Sequence, residues 1–298
     1  MGAFRWLGSS LTDEIVIRPF DGRIPAAPTV DLRTHPDYRL AVVLDTETTG
    51  LDHTRDRVIE FGGRSIVYSR STGEVVGLLD TYDALQDPGA PLSEKISKLT
   101  GLTDADLAGQ SIDAGRVRSM IERAHVVIAH NAGFDRPFVD RMLAAASPAP
   151  PPRVAWACSI ELIDWAARGL PSTKLEALCA MHGFYSQSHR AGSDAAALVR
   201  LLAHRNAETG RTYLAELLEA ARTPSVRVAA IRSPFERKDA LKERGYSWVA
   251  MRKVWERTVP SAERDAELAW LRAEIYGAGS CPAVATPIEP ADRYAAAV

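Results

Sequence analysis

Cysteine is scarce in this 298-residue chain, which contains only Cys158, Cys179 and Cys281. No two of them form a Cys-x-x-Cys pair, so the sequence argues against a zinc ribbon and against a disulfide framework. Unpaired, scattered cysteines suit a reducing compartment, and we therefore expect a cytoplasmic protein.

Long apolar runs are also missing. Every uninterrupted apolar stretch is far shorter than the roughly 18 residues that indicate a membrane span. Residues 1–11 have aromatic side chains and one arginine but no sustained apolar segment, so we expect no signal peptide and no membrane partner. A hydrophobic content of 46% and a charged content of 25% are ordinary for a globular protein and are ample for a core.

Charge is distributed unevenly along the chain. The net charge is −2, yet residues 222–260 hold ten Lys or Arg against four Asp or Glu, a local net charge of +6 that leaves −8 for the rest. A basic module beside an acidic body points to an acidic partner.

The order of the predicted elements indicates an α/β domain at residues 39–210, with a mixed sheet flanked by helices. The apolar run at 39–45 is typical of a buried central strand. Further strands are predicted at 58–69, 74–79 and 126–129, and helices at 113–124, 136–146, 159–168, 172–182 (with Thr173 and Glu176 spaced as a capping box) and 192–205. Residues 1–38 are expected to be an N-terminal extension with a short strand at 14–17.

Residues 224–277 predict a second, small α+β domain. A strand is expected at 226–231, a helix at 236–243, a hairpin at 248–251 and 254–258, and a charged helix at 260–276. The alanine- and proline-rich tail, residues 278–298, is expected to be disordered.

Asp45 and Glu47 end the central strand. Alternate residues of a strand share a face, so both carboxylates project to the same side. Two neighbouring hard oxygen ligands suit Mg²⁺ or Mn²⁺. The turn that begins at Thr48 would bring backbone groups near a substrate. The alternative for this pair is a strand end with two solvated acids.

Asp135 lies between a short strand and a helix, in the segment His-Asn-Ala-Gly-Phe-Asp. The alternative to a ligand role is a helix N-cap, a common position for aspartate. Asn131 and the glycine beside it fit a loop that approaches a ligand closely. Phe134 could pack on a base or sugar, although a core position is the simpler interpretation.

His189 and Asp194 lie five positions apart at the start of another helix. A histidine in such a loop can act as a general base near neutral pH. The alternative is helix capping with an incidental surface histidine. Taken together, four carboxylates and one histidine are what two-metal phosphodiester cleavage requires, since several carboxylates must hold ions roughly 3.5–4 Å apart beside a base.

Three segments resemble the motifs of the DEDDh exonuclease family, which includes the proofreading epsilon subunit of bacterial DNA polymerase III, ribonuclease T and oligoribonuclease. They are DTETTGLD at 45–52, HNAGFDRPFVD at 130–140 and HRAGSDA at 189–195. The linking segments at 91–104 and 171–184 are similar as well, and the resemblance covers about residues 40–205. A departure is Trp-Ala-Cys-Ser at 156–159, where many relatives have an Asp-Thr pair; it removes no ligand.

The resemblance implies a ribonuclease H-like fold and 3′→5′ exonuclease activity that releases nucleoside 5′-monophosphates. It implies that Asp45, Glu47, Asp135 and Asp194 hold two divalent metal ions, Mg²⁺ or Mn²⁺, and that His189 is the base. Thr48, Asn131 and Phe134 are the candidate substrate contacts. The implied partner is a nucleic acid with a free 3′ end. We expect DNA more than RNA, and no protein partner is identified.

The basic module also contains aromatic residues, including Trp248 and Trp255. Basic side chains neutralise phosphates and aromatic rings stack on bases, which would make a surface for single strands. In so short a module the tryptophans could instead form its own core, and that interpretation is favoured.

The favoured function is a metal-dependent 3′→5′ exonuclease that acts on DNA with a single-stranded end. One alternative is a ribonuclease that trims RNA 3′ ends or short oligoribonucleotides, because the motifs do not report how the pocket treats a 2′-hydroxyl. The other is a non-catalytic scaffold that binds nucleic acid, for which a missing ligand would be the sign; none is missing.

Overall fold

The apolar run at residues 39–45 lies within the central strand of a five-stranded sheet. The computed structural model describes residues 17–29, 31–32, 34–187, 189–250, 252–277 and 279–296. The chain divides into two units, Met1–Ala221 and Arg222–Val298.

The strands of the first unit are β1 (Arg18–Pro19), β2 (Tyr38–Thr48), β3 (Val58–Ser69), β4 (Val75–Leu85), β5 (Val126–Ala129), β6 (Ala155–Cys158) and β7 (Phe184–Tyr185). Its helices are α1 (Glu94–Thr100), α2 (Asp104–Leu107), α3 (Ala114–Arg123), α4 (Ala132–Ala146), α5 (Ser159–Leu162), α6 (Leu175–Met181), α7 (Ala191–Ala203) and α8 (Tyr213–Arg222).

The large sheet has the order β4-β3-β2-β5-β6. The β2–β3 and β3–β4 pairs are antiparallel, whereas β2–β5 and β5–β6 are parallel. The mixed α/β sheet that the sequence predicts is therefore confirmed. A buried apolar cluster on the sheet includes residues of β2, β3, β5, α6, α7 and α8.

Several predicted helices have other bounds. The helix expected at 159–168 ends at Leu162, because Ile163 is extended and both Ile163 and Trp165 are buried in the core. The helix expected at 172–182 begins only at Leu175, and its N-cap residue Lys174 makes no side-chain cap, so the predicted capping box is absent there.

Helix α8 is missing from the sequence-based prediction. Its apolar residues Tyr213, Leu214, Leu217 and Leu218 are buried in the main core. This packing extends the first unit to Ala221, beyond the predicted domain end at residue 210.

Part of the N-terminal extension packs on this unit. Strand β1 pairs in parallel with β7, and the ring of Phe20 lies 5.8 Å from that of Phe184. The main chain at residues 25–27 exchanges hydrogen bonds with Leu78 on β4. Of the short strand predicted at 14–17, residues 14–16 lie outside the described residues.

The second unit is a four-stranded antiparallel sheet with helices. Its elements are β8 (Ser225–Ala230), α9 (Lys238–Glu243), β9 (Ser247–Val249), β10 (Val254–Pro260), α10 (Arg264–Trp270), a π-helical turn (Leu271–Tyr276) and β11 (Val284–Ile288). The sheet order is β11-β8-β10-β9. A small core includes Val228, Leu241, Tyr246 and Leu271.

Strand β11 corrects the prediction of a disordered tail. Residues 284–288 pair antiparallel with β8 along its length. Arg293 is buried and donates hydrogen bonds to the Thr223 carbonyl and the Ser225 hydroxyl. Pairing with a distant strand orders a segment whose composition alone favours disorder.

Among the described residues, no helix is both long enough and apolar enough to cross a membrane.

Candidate active site

Three carboxylates meet where β2 ends and α7 begins. Asp45 and Glu47 share a face of β2, opposite Gly62 and Glu60 of β3. Asp194 lies in the first turn of α7. One ligand oxygen from each of Asp45, Glu47 and Asp194 lies within 4.8 Å of the others, a cluster that could hold a metal ion.

The start of α7 reaches this cluster because glycines allow the backbones to approach. A Cβ atom on Gly62 would lie 2.2 Å from the main-chain carbon of Ala191, and one on Gly192 would lie 2.5 Å from a carboxylate oxygen of Asp83. Arg64 donates hydrogen bonds to Asp83 and to the Gly192 carbonyl. The helix start is thus held against β3, which places Asp194 beside Asp45.

Asp135 is buried beside the cluster and does not belong to the group of three. It lies in the first turn of α4, whose N-cap residue is Asn131, so the capping alternative for Asp135 is wrong. Its carboxylate accepts a hydrogen bond of 2.9 Å from the Thr46 hydroxyl. Its negative charge is the largest influence, after burial, that raises the pKa of Asp45.

Burial and repulsion between neighbouring carboxylates raise the pKa values of these acids. Burial, followed by the charges of Asp135, Asp194, Glu47 and Glu60, raises the pKa of Asp45 well above its usual range. Burial first, then the neighbouring acids, raises the pKa of Glu47 to about 8. Burial also raises the pKa of Asp135 to about 7 and that of Asp194 to about 6. Partly buried carboxylates that repel each other favour a nearby cation, and oxygen ligands suit hard divalent ions.

Sequence reasoning missed two residues at the edge of the cluster, Glu60 and Arg190. Glu60 is buried directly across the β2–β3 ladder from Glu47. The Arg190 guanidinium nitrogen Nε lies 3.1 Å from each Glu60 carboxylate oxygen. The apolar residues around Glu60 were a signal of a buried acid, but its partner is 130 positions away, at the N-cap of α7. Only the packing of the α7 start against β3 brings the two together.

His189 lies on the exposed loop that precedes α7. Its backbone has φ of 61°, a left-handed conformation that is uncommon for a residue other than glycine. Its main-chain N–H donates a 2.9 Å hydrogen bond to a carboxylate oxygen of Asp194. The loop is therefore attached to the cluster through the backbone, and the imidazole is exposed.

The other motif residues have structural contacts. The His130 ring bonds to the Ser159 hydroxyl at 2.7 Å and to the Thr173 carbonyl at 2.6 Å, which ties the second motif to the segment where many relatives have Asp-Thr. The Thr48 hydroxyl donates to the Gly50 carbonyl. Phe134 is half-buried against Phe138, with ring centroids 5.0 Å apart.

Asn131, by contrast, is exposed on the same loop. The substrate roles of Thr48, Asn131 and Phe134 stay predictions.

The exonuclease family model (RNase_T) matches residues 42–202, more than half of the chain. The PolC-type DNA polymerase III of Halalkalibacterium halodurans is 34% identical over 105 residues, which cover 33% of this chain and 7% of that protein. Its counterpart in Bacillus subtilis is 35% identical over 101 residues, covering 33% and 6%. This chain therefore matches only a small part of the length of those polymerases.

One solved structure supports the fold, and a second is reported for comparison. A zinc-bound complex of E. coli ExoI with single-stranded DNA has a TM-score of 0.50 and 16% identity, covering 74% of this chain and 63% of that one. Exonuclease X bound to 5′-overhanging duplex DNA has a TM-score of 0.42 and 22% identity, covering 60% and 98%. The ribonuclease H-like fold implied by the motifs is confirmed.

The family match spans all three motifs, from within β2 to the end of α7. The chain therefore belongs to the exonuclease family of the DnaQ-like 3′→5′ type, as its motifs predict.

Proposed function

We propose that this protein removes nucleotides one at a time from the 3′ end of DNA, with a single-stranded end preferred, and releases nucleoside 5′-monophosphates. The observation that carries the proposal is the cluster of Asp45, Glu47 and Asp194, with Asp135 buried beside it. A group of acids whose pKa values are raised by burial and mutual repulsion suits the binding of cations far better than it suits stability.

The donor set fits two divalent ions, Mg²⁺ or Mn²⁺, with Asp45, Glu47, Asp135 and Asp194 as the proposed ligands. When bound, such ions would supply positive charge for the phosphate oxygens and for the leaving 3′ oxygen. The four acids come from three elements, two from β2 and one each from α4 and α7, so the ligands depend on the junction of these elements.

In the proposed reaction, a water molecule attacks the terminal phosphorus in line with the bond to the leaving 3′ oxygen. His189 accepts the proton of this water as the new phosphorus–oxygen bond forms. The bond to the 3′ oxygen breaks, and that oxygen takes up a proton. The His189 loop is exposed, so the imidazole can reach a bound strand end while its main chain stays bonded to Asp194.

The preference for DNA is supported by the relatives, since the curated matches are DNA polymerases and the ExoI structure is a complex with single-stranded DNA. Nothing in the acid cluster itself reads a 2′-hydroxyl. The choice between DNA and RNA is therefore a matter for the assay, and the same assay distinguishes the scaffold alternative.

The test is a gel assay on matched 5′-labelled single-stranded DNA, duplex DNA and RNA, with Mg²⁺, Mn²⁺ or EDTA. We expect a metal-dependent ladder that shortens from the 3′ end, fastest on single-stranded DNA. Asp45→Ala should give no ladder. Asp265→Ala removes an equal charge at a side chain that is 92% exposed and should match the wild type.

His189→Ala should lose most turnover, by roughly 10²–10⁴-fold for a general base, while still binding substrate. Full activity in that variant would overturn the role of His189. A ladder on RNA alone would favour the ribonuclease, and a gel shift without any ladder would favour the scaffold.

A further inference from the structure

The second unit carries a row of aromatic and basic side chains that is separate from the acid cluster. This basic aromatic strip consists of Phe235, Lys238, Lys242, Trp255 and Trp248. Phe235 begins the short 3-10 turn before α9, the two lysines lie on α9, and the tryptophans lie on β10 and β9.

Contacts between neighbours make the strip continuous. The Lys238 ammonium lies 4.2 Å from the centroid of the Phe235 ring. Lys238 and Lys242 are four positions apart on α9 and so lie on one face of the helix. The Lys242 ammonium lies 6.0 Å from the Trp255 ring, and the Trp255 and Trp248 rings are 5.5 Å apart. Two positive charges thus lie between the Phe235 ring and the pair of tryptophan rings at the sheet edge.

The two tryptophans are directly opposite each other in the β9–β10 ladder and share one face of the sheet. Trp255 packs partly against the small core, as the core interpretation expects. Trp248 does not: it lies on edge strand β9 with 50% of its surface exposed. Phe235 is 73% exposed. Leaving two large rings in water forgoes the free energy of burial, so core packing does not account for them.

Basic side chains slightly outnumber acidic ones around the strip. Arg237, Arg252 and Lys253 are exposed on the adjoining turn and hairpin. Among the acids nearby, Asp239 lies 3.7 Å from Lys242, and Glu256 pairs with Arg252 at 2.7 Å. Glu236 and Glu243 are also exposed, Glu236 in the 3-10 turn before α9 and Glu243 at the end of α9.

We infer that the basic aromatic strip binds single-stranded nucleic acid. Exposed ring faces can stack on unpaired bases, and ammonium groups between them can neutralise the phosphates that link those bases. A duplex offers phosphates but hides its base faces, so it would use only the lysines. The inference extends beyond the proposed hydrolysis, because it concerns another unit and needs neither metal nor catalysis.

Binding of a fluorescein-labelled single-stranded DNA oligomer by the full chain, measured by anisotropy in EDTA, tests the inference without hydrolysis. Trp248→Ala should weaken binding by roughly 5- to 100-fold, the usual loss for one stacked base. Trp248→Phe keeps a ring and should restore most of the affinity. Because Trp248 is half-exposed on an edge strand, a thermal midpoint near that of the wild type is expected.

The salt dependence separates the two kinds of contact. In Lys238→Ala/Lys242→Ala, the slope of log affinity against log salt should fall by about 1.4, or about 0.7 for each lost phosphate contact. Trp248→Ala should leave that slope unchanged. The matched control is Arg264→Ala/Arg272→Ala, which removes two exposed charges from another helical segment of the same unit and should change neither affinity nor slope.

Three results would overturn the inference: unchanged affinity in Trp248→Ala, equal affinity of the wild type for duplex and single strand, or an equal loss of slope in the arginine control. Weaker binding in the strip variants alone would support it, even if Asp45→Ala showed that the proposed hydrolysis were wrong. Its failure would leave that hydrolysis unaffected, since the gel assay depends on the acid cluster.

Discussion

Acidic side chains in the two units have opposite surroundings. In the second unit, buried Glu267 accepts hydrogen bonds from Arg244, Arg257 and Tyr246, each at 3.0 Å at its shortest. In the first unit, Asp45 is surrounded by further carboxylates that all raise its pKa. Glu267 has two guanidinium partners that balance its charge, whereas the acids around Asp45 lack such balance, as a cation site requires.

Glu60 shows that the distinction also applies within the first unit. It is buried next to Glu47, but Arg190 neutralises it. Arg190 also lowers the pKa of Glu47, although burial and the other acids outweigh this effect. Arg190 thus lies at the edge of the acid cluster and balances Glu60. Asp45, Glu47, Asp135 and Asp194 remain the proposed metal ligands.

The sharpest test of the contrast is Asp45→Asn. Activity should fall by more than about 100-fold, since even residues that only orient a metal ligand cost 10–100-fold. In EDTA at neutral pH, however, the variant should be more stable than the wild type, because the folded chain no longer has to bury or protonate this acid. Thermal melts beside the gel assay measure both effects. Loss of both activity and stability would show that Asp45 is a structural residue.

A second test moves the acids apart without changing any charge. Gly62→Ala places a methyl group against the main chain of α7 and should cost roughly 1–3 kcal/mol of stability, together with most activity as Asp194 shifts. The control is Gly115→Ala at an exposed position in the first turn of α3, where the nearest atom is an oxygen of the N-cap residue Asp113 at 3.2 Å. That variant should change stability by less than about 1 kcal/mol. Normal activity in Gly62→Ala would break the link between helix position and catalysis.

Neutralising Glu267, which has two arginine partners, should change stability in the opposite sense to neutralising Asp45. Glu267→Gln leaves Arg244 and Arg257 without their carboxylate and should destabilise the second unit by about 2 kcal/mol. Urea unfolding followed by tryptophan fluorescence measures this loss, because the Trp270 ring stacks on Tyr246. A more stable variant would mean that Glu267, like Asp45, is buried at a cost.

The smallest expected effect is a pH dependence of stability in EDTA. Acids with raised pKa values bind more protons when folded, so their contribution to stability is lost as pH rises toward the folded value. The lowered pKa values of His130, His182 and His204 act in the opposite sense, but mainly below about pH 6.5.

Between pH 6.5 and 8, Glu47 and Asp135 should therefore lower the thermal midpoint by about 2–4 °C. Glu47→Gln should flatten the profile, and saturating Mg²⁺ should remove it. A midpoint that rises over this interval would contradict the proposed repulsion.

Much of the first unit follows from local pattern. Strands β3 and β5 have the predicted bounds, because apolar residues between turn signals favour buried strands. Helix α8 had a signal that was overlooked, since Tyr213, Leu214, Leu217 and Leu218 have helical spacing. Strand β11 had almost none: Pro287 lies in it, which an edge strand tolerates, and its partner β8 is far away in sequence.

The sequence by itself determined the chemistry of the site. The period of two along β2 puts Asp45 and Glu47 on one face, and the motif order supplies Asp135, His189 and Asp194. Tertiary structure alone decided which acids are balanced and which aromatic rings reach water. Glu60 and Arg190 meet across 130 positions, and Trp248 is exposed because β9 lies at a sheet edge. Balance and exposure depend on distances between remote residues, which residue identity and periodicity do not contain.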